Sequence, residues 1–229
     1  MTAIDSVPVI TLDGPGGAGK GTVCLRLADR LGWHILDSGS LYRLTALEAL
    51  RKDASDQSQL VDIAKNMDID YVPAEGGLKI MLDHRDVTDA IRTEAVGARA
   101  SEIAAIAAVR QALLERQRSF ARLPGLLADG RDMGTVVFPQ AQLKIFLTAS
   151  PEERAKRRYK QLKEKGIDAN LPKLVVELEA RDKRDSERSA APLRAADDAV
   201  LLDTTEMSID EVVDQVMSMA SQRFGSDVA

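Results

Sequence analysis

The stretch Gly14-Pro15-Gly16-Gly17-Ala18-Gly19-Lys20-Gly21-Thr22 has the residue types of a phosphate-binding loop. Glycines let the backbone curl until several N–H groups face one anion. A helix placed directly after the loop would turn its positive end to the same anion. Lys20 is long enough to reach the β and γ phosphates of a nucleoside triphosphate held there. One position departs from the common pattern. The Ser or Thr that holds Mg²⁺ normally follows the lysine directly, whereas here Gly21 intervenes and Thr22 comes next. Thr22 is therefore expected to meet the metal directly or through a water. The plain alternative, a glycine-rich turn packed on a helix, needs none of these polar groups.

Three further stretches carry groups suited to a second phosphate. Asp37-Ser38-Gly39-Ser40-Leu41-Tyr42-Arg43 opens a helix that Ser38 or Ser40 can cap, with Arg43 about one turn in. Arginine grips phosphate with two parallel hydrogen bonds. Leu126-Leu127-Ala128-Asp129-Gly130-Arg131-Asp132 is an apolar strand running into a glycine turn. Asp129 stands where a carboxylate would orient Mg²⁺ or its waters, and Arg131 and Asp132 follow it. Arg181, Asp185 and Arg188 are spaced four and three apart, so on a helix they share a face. Arg154, Arg157 and Arg158 do the same. Taken alone, each of these two helical sets is more often a solvated ion-pair surface, and a surface salt bridge is the lesser reading of Arg131-Asp132.

These residues need a scaffold, and the flanking pattern supplies one. Val7 to Leu12 is an apolar, β-branched run that reads as a buried strand. Val23, Leu27, Ala28 and Leu31 have helical spacing, and Gly32 suits the helix end. Apolar runs recur at His34 to Leu36, Leu126 to Ala128, Leu143 to Leu147 and Ala199 to Leu202, with helical segments between. Strand and helix in alternation predict an α/β fold with a parallel sheet. Ser150-Pro151-Glu152-Glu153 and Ser208-Ile209-Asp210-Glu211 mark two helix starts. The last helix should bury Ile209, Val212, Val213, Val216 and Ala220, with Met217 and Met219 filling its edge. From about Asp68 to Val87 the pattern changes to short strands, Ile69 to Val72 and Leu78 to Leu82, around a Gly76-Gly77 turn. This predicts an antiparallel insertion. Arg154 to Lys165 holds seven basic residues against one acidic.

Composition narrows the classes. The net charge of −5 argues against general nucleic-acid binding, so any anion site must be built from local arginines. Cys24 is the sole cysteine, which excludes an internal disulfide and suits a reducing, cytoplasmic setting. No apolar run has the length of a membrane span, and the first eight residues do not read as a signal peptide. A monomer without nucleic-acid or membrane partners is expected.

The stretches GPGGAGKGT, DSGSLYR, ADGRDMGTVVFP and RDKRDSERSAAPL, in that order, resemble the signatures of bacterial cytidylate kinases over nearly the whole chain. The GKGT form and the DSGSLYR stretch are also similar to adenylate kinases. The resemblance implies a single domain, 1–229, with a P-loop core of about five parallel strands. It also implies an acceptor-binding insertion at about 63–92 and a mobile lid at about 152–170. The implied reaction moves the γ-phosphoryl group of ATP to CMP, with dCMP as second acceptor. Residues Gly14 to Thr22 with Arg154, Arg157 and Arg158 would bind ATP, and Thr22 and Asp129 would face Mg²⁺. Lys20, Arg131, Arg157 and Arg158 would act on the transferring group. Ser38, Tyr42, Arg43, Ser101, Arg110, Arg131, Asp132, Arg181, Asp185 and Arg188 would surround the acceptor. The nearest alternative is another small-acceptor kinase, for UMP, AMP or shikimate. A nucleotide-binding module with no transfer activity would not need a second set of phosphate-gripping arginines.

Cytosine offers an N4 amino donor beside the N3 and O2 acceptors, while uracil reverses the first two. A carboxylate only accepts and arginine only donates. Asp132 as acceptor, with Arg110 or Arg188 as donor and Ser101 serving either way, fits cytosine. Asp132 instead orienting Arg131 or Arg188 is the competing role.

Overall fold

The computed structural model describes residues 7–74, 77–164 and 166–225. Residues 1–6, 75–76, 165 and 226–229 lie outside the described residues, and with them the glycine turn and the end of the basic run. The chain divides into two compact units, one running to Leu36 and resuming at Phe120, the other Asp37–Ser119.

The first unit is built on strand β1 (Val9–Asp13), every residue of which is buried. An apolar strand with no solvated side belongs at the middle of a sheet covered on both faces. The five-stranded sheet runs β2-β6-β1-β7-β8, with β2 at His34–Asp37, β6 at Leu126–Gly130, β7 at Leu143–Thr148 and β8 at Val200–Asp203. β1 pairs in parallel with both β6 and β7, and β7 with β8. The strand ends are therefore aligned: Asp13 lies in register with Gly130 on one side and Phe146 on the other. Loops leaving the carboxyl ends of β1 and β6 emerge together, where ligands bind in such sheets.

Helix α1 (Lys20–Leu31) buries Val23, Cys24 and Leu27 on this sheet and ends at Gly32, whose φ of 64° needs no Cβ. Helix α8 (Ile209–Phe224) starts with the predicted capping box, Ser208 and Glu211 bonding each other's backbone N–H. It adds Val212, Val213, Val216 and Ala220 to the core, with Ile209, Met217 and Met219 at its margin. Trp33 meets Phe224 edge to face at 5.4 Å. Helix α6 (Pro151–Glu164) begins where Ser150 Oγ accepts the Glu153 N–H, and helix α7 (Leu171–Glu187) packs against it. Leu162 and Leu174 form a small core between these two helices, with Tyr159 and Leu178 at its edge.

The second unit holds helices α2 (Ser38–Arg51), α3 (Gln57–Asn66), α4 (Glu94–Ile103) and α5 (Ala107–Arg118). With them is an antiparallel sheet of β3 (Ile69–Ala74), β4 (Gly77–Leu82) and β5 (Arg85–Asp86). Here the structure departs from the sequence expectation twice. The third strand had no apolar pattern, and α2 is capped neither by Ser38 nor by Ser40. Asp37 is the cap, its carboxylate accepting the Ser40 N–H at 3.0 Å. Ser38 and Ser40 sit inside the first turn, and Ser40 Oγ donates back to the Asp37 carbonyl. Among the described residues no helix is long and apolar enough to cross a membrane.

Candidate active site

β1 stops at Asp13 because Gly14 follows with φ 145°, and a Cβ there would lie 1.9 Å from the Leu147 carbonyl oxygen. The chain turns through the glycine loop and enters α1 at Lys20. Gly19 occupies the cap position with no side-chain cap, and the first turn carries no acidic residue. The helix thus presents unsatisfied N–H groups and its positive end to the loop. Lys20 is buried, donates to the Pro15 carbonyl at 2.9 Å, and lies 3.9 Å from Asp129 Oδ1. Burial first, and then repulsion from Arg131, lower its pKa from 10.5 to about 8. A lysine held this way is an ammonium waiting for more negative charge than its neighbours supply.

Four arginines approach the loop. A Cβ added at Gly16 would stand 3.5 Å from Arg131 Nη2 and 4.0 Å from Arg181 Nη1. Arg131 is steered there by Asp185, which accepts its Nε–H at 3.1 Å, and Arg181 lies 3.9 Å from the same carboxylate oxygen. Arg154 comes from the other side. Its guanidinium donates to the Gly16 and Ala149 carbonyls and pairs with Asp182 at 2.6 Å. Arg157 bonds the Ala18 carbonyl, Thr204 Oγ1 and the Thr204 carbonyl. Arg158 lies on the same helix, half-buried.

These contacts decide between the two meanings of the arginine sets. Asp185 is 4% exposed and Asp132 2%, so neither set is a solvated ion-pair face. Arg131 pairs with Asp185 and not with its neighbour Asp132, which instead lies 3.9 Å from Arg188 Nη2. That distance is too long for a hydrogen bond and leaves both roles for Asp132 standing. Arg154, grouped by spacing with Arg157 and Arg158, is buried under the loop, where its three partners hold it.

Asp129 sits at the end of β6 with one carboxylate oxygen 3.4 Å from where a Cβ of Gly21 would be. Thr22, one residue on, is exposed in the first turn of α1. A half-buried carboxylate beside an accessible hydroxyl is a small, hard oxygen set. It suits Mg²⁺, which is held by one or two protein oxygens and takes its remaining ligands from water and phosphate.

In the second unit, five predicted residues gather around α2 and α4. Arg43 donates to the Ile91 carbonyl at 2.7 Å, and its guanidinium lies 3.2 Å from where a Cβ of Gly97 would be. Gly97 therefore clears the space Arg43 occupies. One turn later on α4, Ser101 is buried and its Oγ has no hydrogen-bond partner among the described residues. A buried hydroxyl left unpaired is costly and calls for a ligand or a water. Arg110 lies over the ring of Tyr42, 5.6 Å from its centroid, a cation–π arrangement. Ser38 differs from the others: its Oγ donates to the buried Gln117 at 2.8 Å.

Sequence reasoning missed three residues. Asp13 is buried at the strand end and accepts two backbone N–H groups. Asp182 holds Arg154, and Gly97 makes room for Arg43. Asp13 left one signal, a carboxylate directly ahead of the glycine loop. Gly97 left another, a glycine inside a helix, where it costs stability unless something needs the space.

A parallel sheet with a glycine loop beyond its central strand, a buried lysine in that loop and converging arginines defines a P-loop protein equipped to handle transferable phosphoryl groups. The family model described as cytidylate kinase matches residues 10–222. A protein of Aeromonas salmonicida (strain A449) named cytidylate kinase is 55% identical over 220 residues, 95% of this chain and 96% of its own. One of Pseudomonas aeruginosa (strain LESB58) is 56% identical over 227 residues, covering 97% and 99%. One of Proteus mirabilis (strain HI4320) is 54% identical over 218 residues, covering 94% and 97%. The chain belongs to the cytidylate kinase family.

Proposed function

We propose that the chain transfers the γ-phosphoryl group of ATP to CMP, giving ADP and CDP, and accepts dCMP as its second substrate. The observation that carries this reading is the meeting of Lys20 with the guanidinium groups of Arg131 and Arg181 at the glycine loop. One anion would satisfy Lys20 and the loop amides, while Arg131 serves a second phosphate beside it and Arg181 adjoins the nucleoside that carries that phosphate. Such a pair of sites is what phosphoryl transfer needs, since the reaction is mostly positioning and charge stabilisation.

A phosphate oxygen of CMP attacks the γ phosphorus as the bond to the β-phosphate oxygen breaks, and ADP leaves. Lys20 and the loop N–H groups hold the β and γ phosphates. Arg131, aimed by Asp185, and Arg43 hold the acceptor phosphate. Arg157 and Arg158 neutralise charge on the transferring group, and closure of residues 152–170 keeps water from accepting it. Ser101, Arg110, Asp132, Arg181 and Arg188 surround the base and sugar, and the unpaired Ser101 hydroxyl supports that placement. Asp129 and Thr22 would hold Mg²⁺ or its waters; the ion supplies charge neutralisation of the donor phosphates when bound. The setting is pyrimidine nucleotide metabolism in the cytoplasm, with the protein acting as a monomer. Incubation with ATP, CMP and Mg²⁺ should yield ADP and CDP in equal amounts by ion-exchange chromatography, and EDTA should stop it. ADP release without CDP would overturn the reading.

A further inference from the structure

Asp13 belongs to none of the substrate groups above, yet both of its oxygens are engaged. Oδ1 accepts the Met133 N–H and Oδ2 accepts the Gly134 N–H, each at 2.8 Å. Those N–H groups open a π-helical turn, Met133–Val137, whose ring closes from the Phe138 N–H to the Met133 carbonyl. The turn's own preceding residue, Asp132, supplies no side-chain cap. Its backbone carbonyl accepts the Val136 and Val137 N–H groups instead. The buried donors at the head of the turn are thus capped from a strand 120 residues away in sequence. Adjoining the clamp on one side is Gly14, the first residue of the phosphate loop. Adjoining it on the other are Arg131 and Asp132.

We infer that Asp13 is a positioning residue for phosphoryl transfer, its carboxylate locking the turn that carries Arg131 and Asp132 to the start of the phosphate loop. This rests on the transfer reaction proposed above. Arg131 must be held to within about half an ångström of its productive position against a phosphate, and a turn with one loose donor does not hold that tolerance. An ionised carboxylate accepts two N–H bonds; a protonated one turns a donor toward one of them. The charged groups facing Asp13 are Lys20 from α1, which favours the ionised form, and Asp132 from the turn, which opposes it. From β7 the register partner is Phe146, which adds no charge. Burial, the largest influence, raises the Asp13 pKa from 3.8 to about 6, so the clamp should loosen within a mildly acidic range.

Two measurements test this. In the wild-type protein without substrates, the backbone amide resonances of Met133 and Gly134 should titrate together near pH 6 by ¹H–¹⁵N NMR. The Arg131 Nε–H resonance should follow with the same midpoint. Asp13→Asn should abolish that titration, lower kcat for CMP phosphorylation about tenfold or more, and change the ATP dissociation constant less than threefold. The split matters because a residue that only supports the fold would lower the melting temperature and leave kcat of the folded enzyme intact. Flat Met133 and Gly134 shifts between pH 5 and 7, or an Arg131 resonance that ignores their titration, would overturn the inference even if the variant cannot be purified. A kcat within twofold of wild type in Asp13→Asn would also overturn it. Absence of CMP phosphorylation by the wild type would count against the proposed reaction, and the amide titration would still decide the clamp.

Discussion

Replacing Lys20 by methionine separates the cost of keeping a charge in the phosphate loop from the use made of it. The side chain is 5% exposed, and its ammonium has one carbonyl acceptor at 2.9 Å and a carboxylate at 3.9 Å. Burial and the repulsion of Arg131 bring its pKa from 10.5 to about 8. That fall corresponds to about 3 kcal/mol of folding free energy forgone while the lysine is charged in both folded and unfolded chains. Methionine keeps the length and removes the charge. It also loses the hydrogen bond to Pro15, worth about 1 kcal/mol. The variant should therefore be more stable than wild type by about 2 kcal/mol near pH 7. For a chain of this size that is a rise in melting temperature of roughly 4–8 °C. The sign can be checked against pH. Below pH 8 both wild-type states carry the charge and the penalty is complete. Between pH 8 and 10.5 the folded lysine is neutral while the unfolded one is still protonated, so wild-type stability recovers and the advantage of methionine fades. Scanning calorimetry without nucleotide across pH 6.5–10 reads this directly, and transfer to CMP should fall by roughly 10³-fold or more. A variant that melts lower than wild type near pH 7, or that still turns over, would refute the assignment of Lys20 as a charge stored for phosphate.

Arg43→Ala and Arg131→Ala should each lower kcat/KM for CMP by on the order of 10³-fold, and free cytidine should be a very poor acceptor for the wild type; efficient cytidine phosphorylation would sink the acceptor-phosphate placement. Asp132→Asn should lose CMP activity and narrow the gap between CMP and UMP, because the added amide donor faces the cytosine amino group. Equal losses on both acceptors would instead make Asp132 a residue that orients Arg188. In hydrogen exchange, the part of α6 beyond Arg157 should slow when ATP and CMP analogues bind together, while the turn around Arg154, already tied to Gly16 and Asp182, should be protected throughout. Protection of the distal part that does not change with ligands would count against a lid.

The parts of this fold legible in the sequence are those whose signal is local. The β-branched run before the glycine loop, Gly32 at the end of α1 and the Ser208–Glu211 box each act within a few residues, and each is found as expected. The cap of α2 is not legible because three capping residues, Asp37, Ser38 and Ser40, crowd one turn, and only backbone geometry picks Asp37. β5 was invisible for two reasons. It is two residues long, and the turn before it uses Asp83 and His84 at φ 49° and 61° where Asn-Gly is the usual mark. The site shows the same division. The loop and its lysine are written contiguously. Helical spacing grouped Arg154 with Arg157 and Arg158, but burial was decided by Asp182 on another helix, which spacing cannot reveal. Asp13 and the Met133–Gly134 turn are brought together by parallel pairing of β1 with β6, a partnership no local pattern announces.

The central claim is that this chain phosphorylates a cytidine monophosphate with ATP. A turnover assay with CMP, dCMP, UMP and AMP at equal concentration, ATP and Mg²⁺ held saturating, measures it most directly. CMP should lead, dCMP should follow, and UMP and AMP should trail by about tenfold or more, because a site built to pair polar groups rejects a base that reverses them. ADP release should match diphosphate formation for each acceptor. AMP or UMP turning over fastest would contradict the account, as would tight ATP binding with no diphosphate formed from any of the four.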